Sequence, residues 1–332
     1  MIIIASSEYG ATRYIRGFLD EADQKGEGLD FCYFGSPEFA DILGVESQGE
    51  VLDDIDYGAV DLVLTGTGIG NTIDKKMWFA ASANGVHSRA LVDHWSVYPE
   101  RFKDANGNSF FPSSIGLLDD NAKALARLAE YPMERCFVAG NPRFLSLAGN
   151  VQHEMRTERV SRVCFLHEDI EPDLRLDKAL PKKISFFDLF DAFCYEAQKA
   201  KLDIDIKIRS HPASANRLSA LAPLDESPDL ETLASSYDVF IGIETMLLVD
   251  LMLTGAFCVS CYHPLNNSAL YLGRVPLLYS NNAAEIVNLI STLQENGQIT
   301  RPQDDDRSKI KQTWLEQYYE KPASKPINVF EV

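Results

Sequence analysis

Asp61-Leu62-Val63-Leu64-Thr65-Gly66-Thr67-Gly68-Ile69-Gly70-Asn71 begins a stretch that reads DLVLTGTGIGNTIDKKMW over residues 61–78. A short apolar run gives way to a glycine turn and then to a helix-period segment. A strand without polar alternation is buried on both faces, the mark of a parallel sheet covered by helices. The second half repeats the pattern at residues 237–253, YDVFIGIETMLLVDLML. In open α/β sheets, ligands bind beyond the carboxyl ends of the strands, where helix N-termini offer free N–H groups. Both glycine turns are therefore expected to line a cleft.

Outward from these two stretches, the same alternation covers most of the chain. Strands are expected at Ile2–Ala5, Leu29–Phe34, Asp61–Thr65, His87–Val92, Ile115–Leu118 and Cys136–Ala139, with helices at Thr12–Ala22, Ile73–Ala83 and Asn121–Glu130. A polar segment between Asn141 and Arg162, broken by Pro142 and Gly149, reads as the interdomain linker. Strands then resume at Val163–Leu166, Ile204–Arg209, Val239–Gly242, Phe257–Cys261 and Val275–Tyr279. Helices at Lys183–Ala200, Glu231–Ser236, Thr245–Thr254 and Ala283–Gln294 separate them. The pattern predicts an α/β protein of two doubly wound domains, 1–145 and 146–305, facing a cleft. The last segment, 306–332, contains KIKQTWLEQYY. It reads as a helix whose Trp314, Leu315 and Tyr318 pack back on the body.

Composition narrows the classes of function. The 332 residues suffice for two domains, and 45% apolar content suffices for their cores. With 31 basic against 49 acidic residues the net charge is −18, a field that repels polyanions and excludes a dedicated nucleic-acid binder. A broad basic membrane patch is disfavoured too, although Lys182 and Lys183 offer a local one for peripheral contact. No apolar run is long enough to span a bilayer, and MIIIASSEYG lacks a basic leader region, so a cytoplasmic setting is expected. Of the six cysteines only Cys258 and Cys261 form a C-x-x-C. They lie along an expected strand with no second pair, so no metal site is expected. The absence of G-x-S-x-G removes the commonest α/β-hydrolase reading.

Several segments could carry chemistry. Gly66, Thr67, Gly68 and Asn71 form a loop whose amides can approach a phosphate or a polar acceptor; its plain alternative is a tight turn without a ligand. Asp93 and His94 end a strand and supply a candidate base and proton shuttle beside Trp95. Their alternative is a helix cap followed by a core tryptophan. Arg209 and His211 arrive at the end of another strand, where a guanidinium can hold two phosphate oxygens. Gly242, Glu244, Thr245 and Met246 form the next strand–helix turn, suited to a diphosphate and ribose, with Thr245 also expected to cap the helix. His167 and Glu168 end the first strand of the second domain.

These segments, in this order, resemble glycosyltransferases of the GT-B architecture, especially bacterial surface-polysaccharide enzymes, and the related nucleotide-sugar 2-epimerases. The resemblance rests on LTGTGIGNTIDKKM, LVDHWSVYPERF, VAGNPRF, IRSHP and VFIGIETMLLVDLMLTGAFCVS, which cover both halves. It implies two Rossmann-like domains, with a nucleotide-sugar donor held in the second by Arg209, His211, Gly242, Glu244, Thr245 and Met246. The first would receive a glycan acceptor. Asp93, His94 and Glu168 are then the candidates for proton transfer, and the leaving phosphate is stabilised without a metal or other cofactor. A 2-epimerase-like isomerase or hydrolase, and a non-catalytic nucleotide-sugar binder, are the competing readings.

Overall fold

The computed structural model describes residues 1–95, 98–104, 106–149, 160–167, 185–210, 218–243, 245–261, 277–280, 282–296 and 328–330. The chain divides into two units: Met1–Leu145 together with the C-terminal end from Leu315, and Ser146–Trp314. In the first unit the strands are β1 (Ile2–Ser6), β2 (Phe31–Gly35), β3 (Leu62–Thr65), β4 (His87–Val92), β5 (Ser114–Leu117) and β6 (Cys136–Val138). All pair in parallel, in the order β2-β1-β3-β4-β5-β6. Every residue of β1 and β3 is buried, which is why neither shows polar alternation.

The second unit holds β7 (Arg162–Leu166), β8 (Asp205–Arg209), β9 (Val239–Ile243), β10 (Cys258–Cys261) and β11 (Leu278–Ser280). Its parallel order, β11-β10-β9-β7-β8, follows the same rule as the first: the opening strand has its successor on one side and the third strand on the other. Each sheet therefore reverses direction once, between β1 and β3 and between β7 and β9. At that point crossover connections leave in opposite directions and open a crevice at the carboxyl edge. The registers Ala5↔Thr65 and Leu166↔Gly242 bring the paired strand ends level there. The two stretches that echo each other in sequence are the third strands of their units.

Helix starts follow from local chemistry. Asp119, Ser185, Asp229 and Thr245 each accept a hydrogen bond from the backbone amide two or three residues on. The expected linker departs from its reading, because Pro142–Gly149 is helical. Proline at the first helical position needs no amide partner, Asn141 Oδ1 accepts from the Arg143 amide at 3.1 Å, and Phe144 is buried. Cys258 and Cys261 are both buried on β10, and their odd spacing puts them on opposite faces of the strand.

The expected C-terminal helix, with Trp314, Leu315 and Tyr318, lies outside the described residues, as do Lys182 and Lys183. Near the chain end, Val329 is buried in the first unit and its carbonyl accepts from Arg89 Nη1 at 2.7 Å. Among the described residues, no helix is long and apolar enough to cross a membrane.

The core of the second unit centres on Phe165, whose ring meets Phe190 and Phe193 edge-on at 5.1 and 5.0 Å. Phe193 is fully buried. Phe193→Ala should cost about 3–5 kcal/mol, read as a lowered denaturant midpoint for the second unit.

Candidate functional site

At the reversal point of the first unit, β1 runs into Ser6-Ser7-Glu8 before the helix Tyr9–Gln24. Glu8 occupies the position preceding that helix in an extended conformation (φ −136°, ψ 142°), yet its side chain does not cap it. The carboxylate reaches the glycine loop instead, where Oε1 accepts from the Ile69 amide at 3.4 Å. Asp74, in the first turn of the helix Ile73–Ala83, is fully buried. Ser7 Oγ donates to its Oδ2, while Oδ1 has no hydrogen-bond partner among the described residues. Burial lifts the Asp74 carboxyl above its ordinary range, against the pull of the Ser7 hydrogen bond.

Asp93 follows β4 and faces Arg101, whose Nη1 lies 3.4 Å from Asp93 Oδ1 and 2.7 Å from Thr67 Oγ1. Burial opposes the Arg101 charge, but Asp93 and Glu8 outweigh it. Burial, and then the Asp93 charge, push the Glu8 carboxyl up to about 7, with Arg101 pulling the other way. Lys75 is buried and turned onto the carbonyls of Gly70 and Lys103, at 2.8 and 2.7 Å. Three carboxyl groups thus meet beside one guanidinium.

The glycine loop owes its composition to close packing against the turn after β1 and Asp74. A Cβ on Gly66 would stand 2.6 Å from Ala11 Cβ and 3.0 Å from Asp74 Oδ1, and one on Gly68 would overlap Ser7 Oγ. Gly10, at the helix start, gives way in the same manner to Asp93, whose Oδ2 would lie 2.7 Å from a Cβ there. Gly66, Thr67 and Gly68 therefore sit in carboxylate-lined surroundings, and Asn71 is exposed beyond them. Arg101 at Thr67 and Lys75 at Gly70 set positive charge against these acids. His94 is half-buried with its ring 6.5 Å from that of Trp95, which is itself buried and donates to Asp119.

In the second unit, Arg209 ends β8. Its Nη1 donates to Asp225 Oδ2 at 2.7 Å and to the Ser227 carbonyl at 2.6 Å; Nη2 and Nε have no partner among the described residues. Asp225 also accepts from Tyr237 and Ser227. Burial opposes its ionisation, but the hydrogen bonds from Ser227, Tyr237 and Arg209 outweigh that and hold its carboxyl below the usual range. Two strands away, Gly242 lies near the end of β9 and packs so tightly that a Cβ would meet Leu248 and Thr245 at 3.2 Å. Thr245 caps the helix Met246–Leu253, its hydroxyl accepting from the Leu247 amide at 3.3 Å, and Met246 is half-exposed at the first helical position. His167 follows β7, buried edge-on against Phe186 at 4.7 Å.

Glu168, His211 and Glu244 lie outside the described residues. Among those described, no group of three or more His, Cys, Asp or Glu is arranged to hold a metal ion. Glu8, Asp74 and Arg101 are absent from the sequence-derived candidates. The signal for Glu8 is the turn SSEYG directly after the first apolar strand, small and polar where an α/β unit turns over its sheet edge; Asp74 and Arg101 carry none of this kind.

No protein-family model matches the chain, and no curated protein matches it in sequence. Solved structures do. The chain is similar over 95% of its length to 98% of the Anabaena HepE protein in complex with UDP, at 12% identity and a TM-score of 0.55. It is similar over 88% of its length to 92% of the Methanocaldococcus jannaschii UDP-GlcNAc 2-epimerase in complex with UDP-GlcNAc and UDP, at 11% identity and a TM-score of 0.57. A third likeness, to S. aureus MnaA with UDP, covers 96% of this chain and 97% of that one, at 10% identity and a TM-score of 0.57. These likenesses show the fold: two Rossmann-like α/β units of the GT-B type.

The raised Glu8 carboxyl carries a testable consequence for stability. Between the ordinary carboxylate value of 4.5 and about 7 the unfolded chain has released this proton while the folded chain retains it, so stability falls as pH rises through that window. Glu8→Gln should match the wild type near pH 4. At pH 8 it should be more stable by at most about 3 kcal/mol, measured by urea unfolding across pH.

Proposed function

We propose that the chain is a metal-independent glycosyltransferase of the GT-B type, moving a sugar from a nucleotide-sugar donor to a glycan acceptor in the cytoplasmic steps of bacterial surface-polysaccharide assembly. The observation that carries this reading is the carboxyl edge of the second unit. There Arg209 stands two strands from the Thr245-capped helix, a separation of roughly 10 Å that a nucleoside diphosphate can span. Solved neighbours along nearly the whole chain hold UDP or a UDP-sugar, which supports the same ligand class here.

On this reading Arg209 and His211 neutralise the departing phosphate, helped by the N–H groups beginning at Met246. Gly242 keeps the strand end low enough for close approach, and Glu244 accepts from the ribose hydroxyls. The acceptor occupies the first unit along Gly66, Thr67, Gly68 and Asn71. Of the groups that the sequence offers for its proton, Asp93 is paired with Arg101, His94 stands beside Trp95, and Glu168 lies outside the described residues.

The epimerase neighbour supports a second reading, in which the same groups isomerise a nucleotide sugar with no acceptor. Incubation with UDP-GlcNAc in deuterated water separates the two. An epimerase exchanges the sugar C2 hydrogen without an acceptor, and a transferase does not.

The reading is tested by thermal unfolding against UDP, GDP, CDP, CMP, dTDP and their sugar conjugates. A ligand present at a hundred times its dissociation constant stabilises the native state by about 2.7 kcal/mol. One nucleotide class should raise the midpoint, and His211→Ala should abolish the rise. A flat response to every nucleotide overturns the proposal.

A further inference from the structure

Of the three carboxyl groups gathered at the reversal point of the first unit, one alone is presented to solvent. Asp74 is fully buried and bonded by Ser7. Asp93 is 9% exposed, with Oδ1 turned to Arg101. Glu8 is half-exposed, leaves its own helix uncapped, and carries a single long hydrogen bond from Ile69. Asp74 Oδ1, without a hydrogen-bond partner among the described residues, lies 3.0 Å from where a Cβ on Gly66 would stand.

From this geometry we propose that Glu8 is the catalytic base, with Asp93 and Arg101 as the residues that position and tune it. The assignment rests on the nucleotide-sugar reading above. In the step, the proton of an acceptor hydroxyl passes to the Glu8 carboxylate as the acceptor oxygen forms a bond to the anomeric carbon. The bond from that carbon to the donor phosphate oxygen breaks, and its electron pair leaves with the nucleotide. Glu8 then returns its proton to solvent.

The surroundings suit the task. Asp93 after β4 and Asp74 on its helix raise the proton affinity of Glu8, while Arg101 and the Ile69 amide lower it. Lys75 adds a nearby positive charge, held on two carbonyls. A base works best when its proton affinity lies close to the working pH, where it is both ionised and strong. Asp93 cannot take this role without surrendering the partner of a buried guanidinium.

The test uses the full chain with UDP-glucose, UDP-N-acetylglucosamine, GDP-mannose and CMP-sialic acid, each with and without neutral mono- and disaccharide acceptors. Nucleotide release is followed from pH 5 to pH 9 for the wild type, Glu8→Gln and Asp93→Asn. Glu8→Gln should lower kcat by about 10²–10⁴-fold while KM and the nucleotide-induced thermal shift stay within about twofold. The acidic limb of the wild-type profile, near pH 7, should vanish in Glu8→Gln. Asp93→Asn also takes the carboxylate partner from Arg101, so its activity should fall, and the limb of the activity that remains should move to lower pH because Glu8 loses a neighbouring negative charge.

Turnover and a pH profile that survive in Glu8→Gln overturn the assignment alone. Activity abolished by Asp93→Asn and retained by Glu8→Gln transfers the role to Asp93. A wild type that releases nucleotide from none of the four donors overturns the functional reading and the base with it.

Discussion

The buried guanidinium of Arg101 organises the carboxyl edge of the first unit. Arg101 is only 4% exposed, and a charge taken that far from water costs several kcal/mol unless it is paired and hydrogen-bonded. Its solution is to tie three segments together: its own short helix, Thr67 in the loop after β3, and Asp93 after β4. An aromatic shell surrounds that helix. Phe102 lies 5.2 Å from Trp78 and 4.8 Å from Tyr131, and Tyr98 stacks on Tyr131 at 5.4 Å. With water displaced, the pair cannot exchange its partner for solvent, so the end of β4 and the loop after β3 hold a fixed relation.

Fixing Asp93 in this way determines the state of its neighbours. Two further carboxyl groups share the crevice with one guanidinium, and full ionisation of all three would leave uncompensated negative charge in a poorly solvated place. The strain appears at Glu8 and Asp74, both of which hold their protons more tightly than free carboxylic acids. Gly10, Gly66 and Gly68 make the crowding sterically possible, since each yields the volume of a side chain to an oxygen or methyl group of this cluster. Within the loop, only Gly70 uses the conformational freedom of glycine, at φ +90°.

Much of the architecture is legible in the sequence because burial on both faces leaves a direct trace. DLVL at 61–64 and VFIG at 239–242 admit no polar alternation, and each continues into a helix capped or opened by small polar residues. Pro142 is misleading for a physical reason: it breaks a helix from within but opens one at its first position, and only the burial of Phe144 distinguishes the two cases. The candidate site is less legible. Asp93 stands out because it ends an apolar strand, whereas Glu8 acquires its meaning from Ile69, Asp74, Asp93 and Arg101, all remote in sequence. The glycine loop invites an anion-binding reading because glycine exposes amides. The sign of the field there comes from side chains that fold in from elsewhere.

Backbone topology alone does not distinguish the two units, since each places its first and third strands on either side of one reversal point. The side chains at those points do. In the first unit three carboxyl groups face one guanidinium, and the nearest loop amide is taken up by Glu8. In the second unit Arg209 is anchored to Asp225 through one nitrogen, and β9 leads into a capped helix N-terminus. The second offers a phosphate group a guanidinium and a helix N-terminus, while the first offers a hydroxyl group carboxyl acceptors. Two units built on one strand order thus differ in the charged groups that they set at the same topological point.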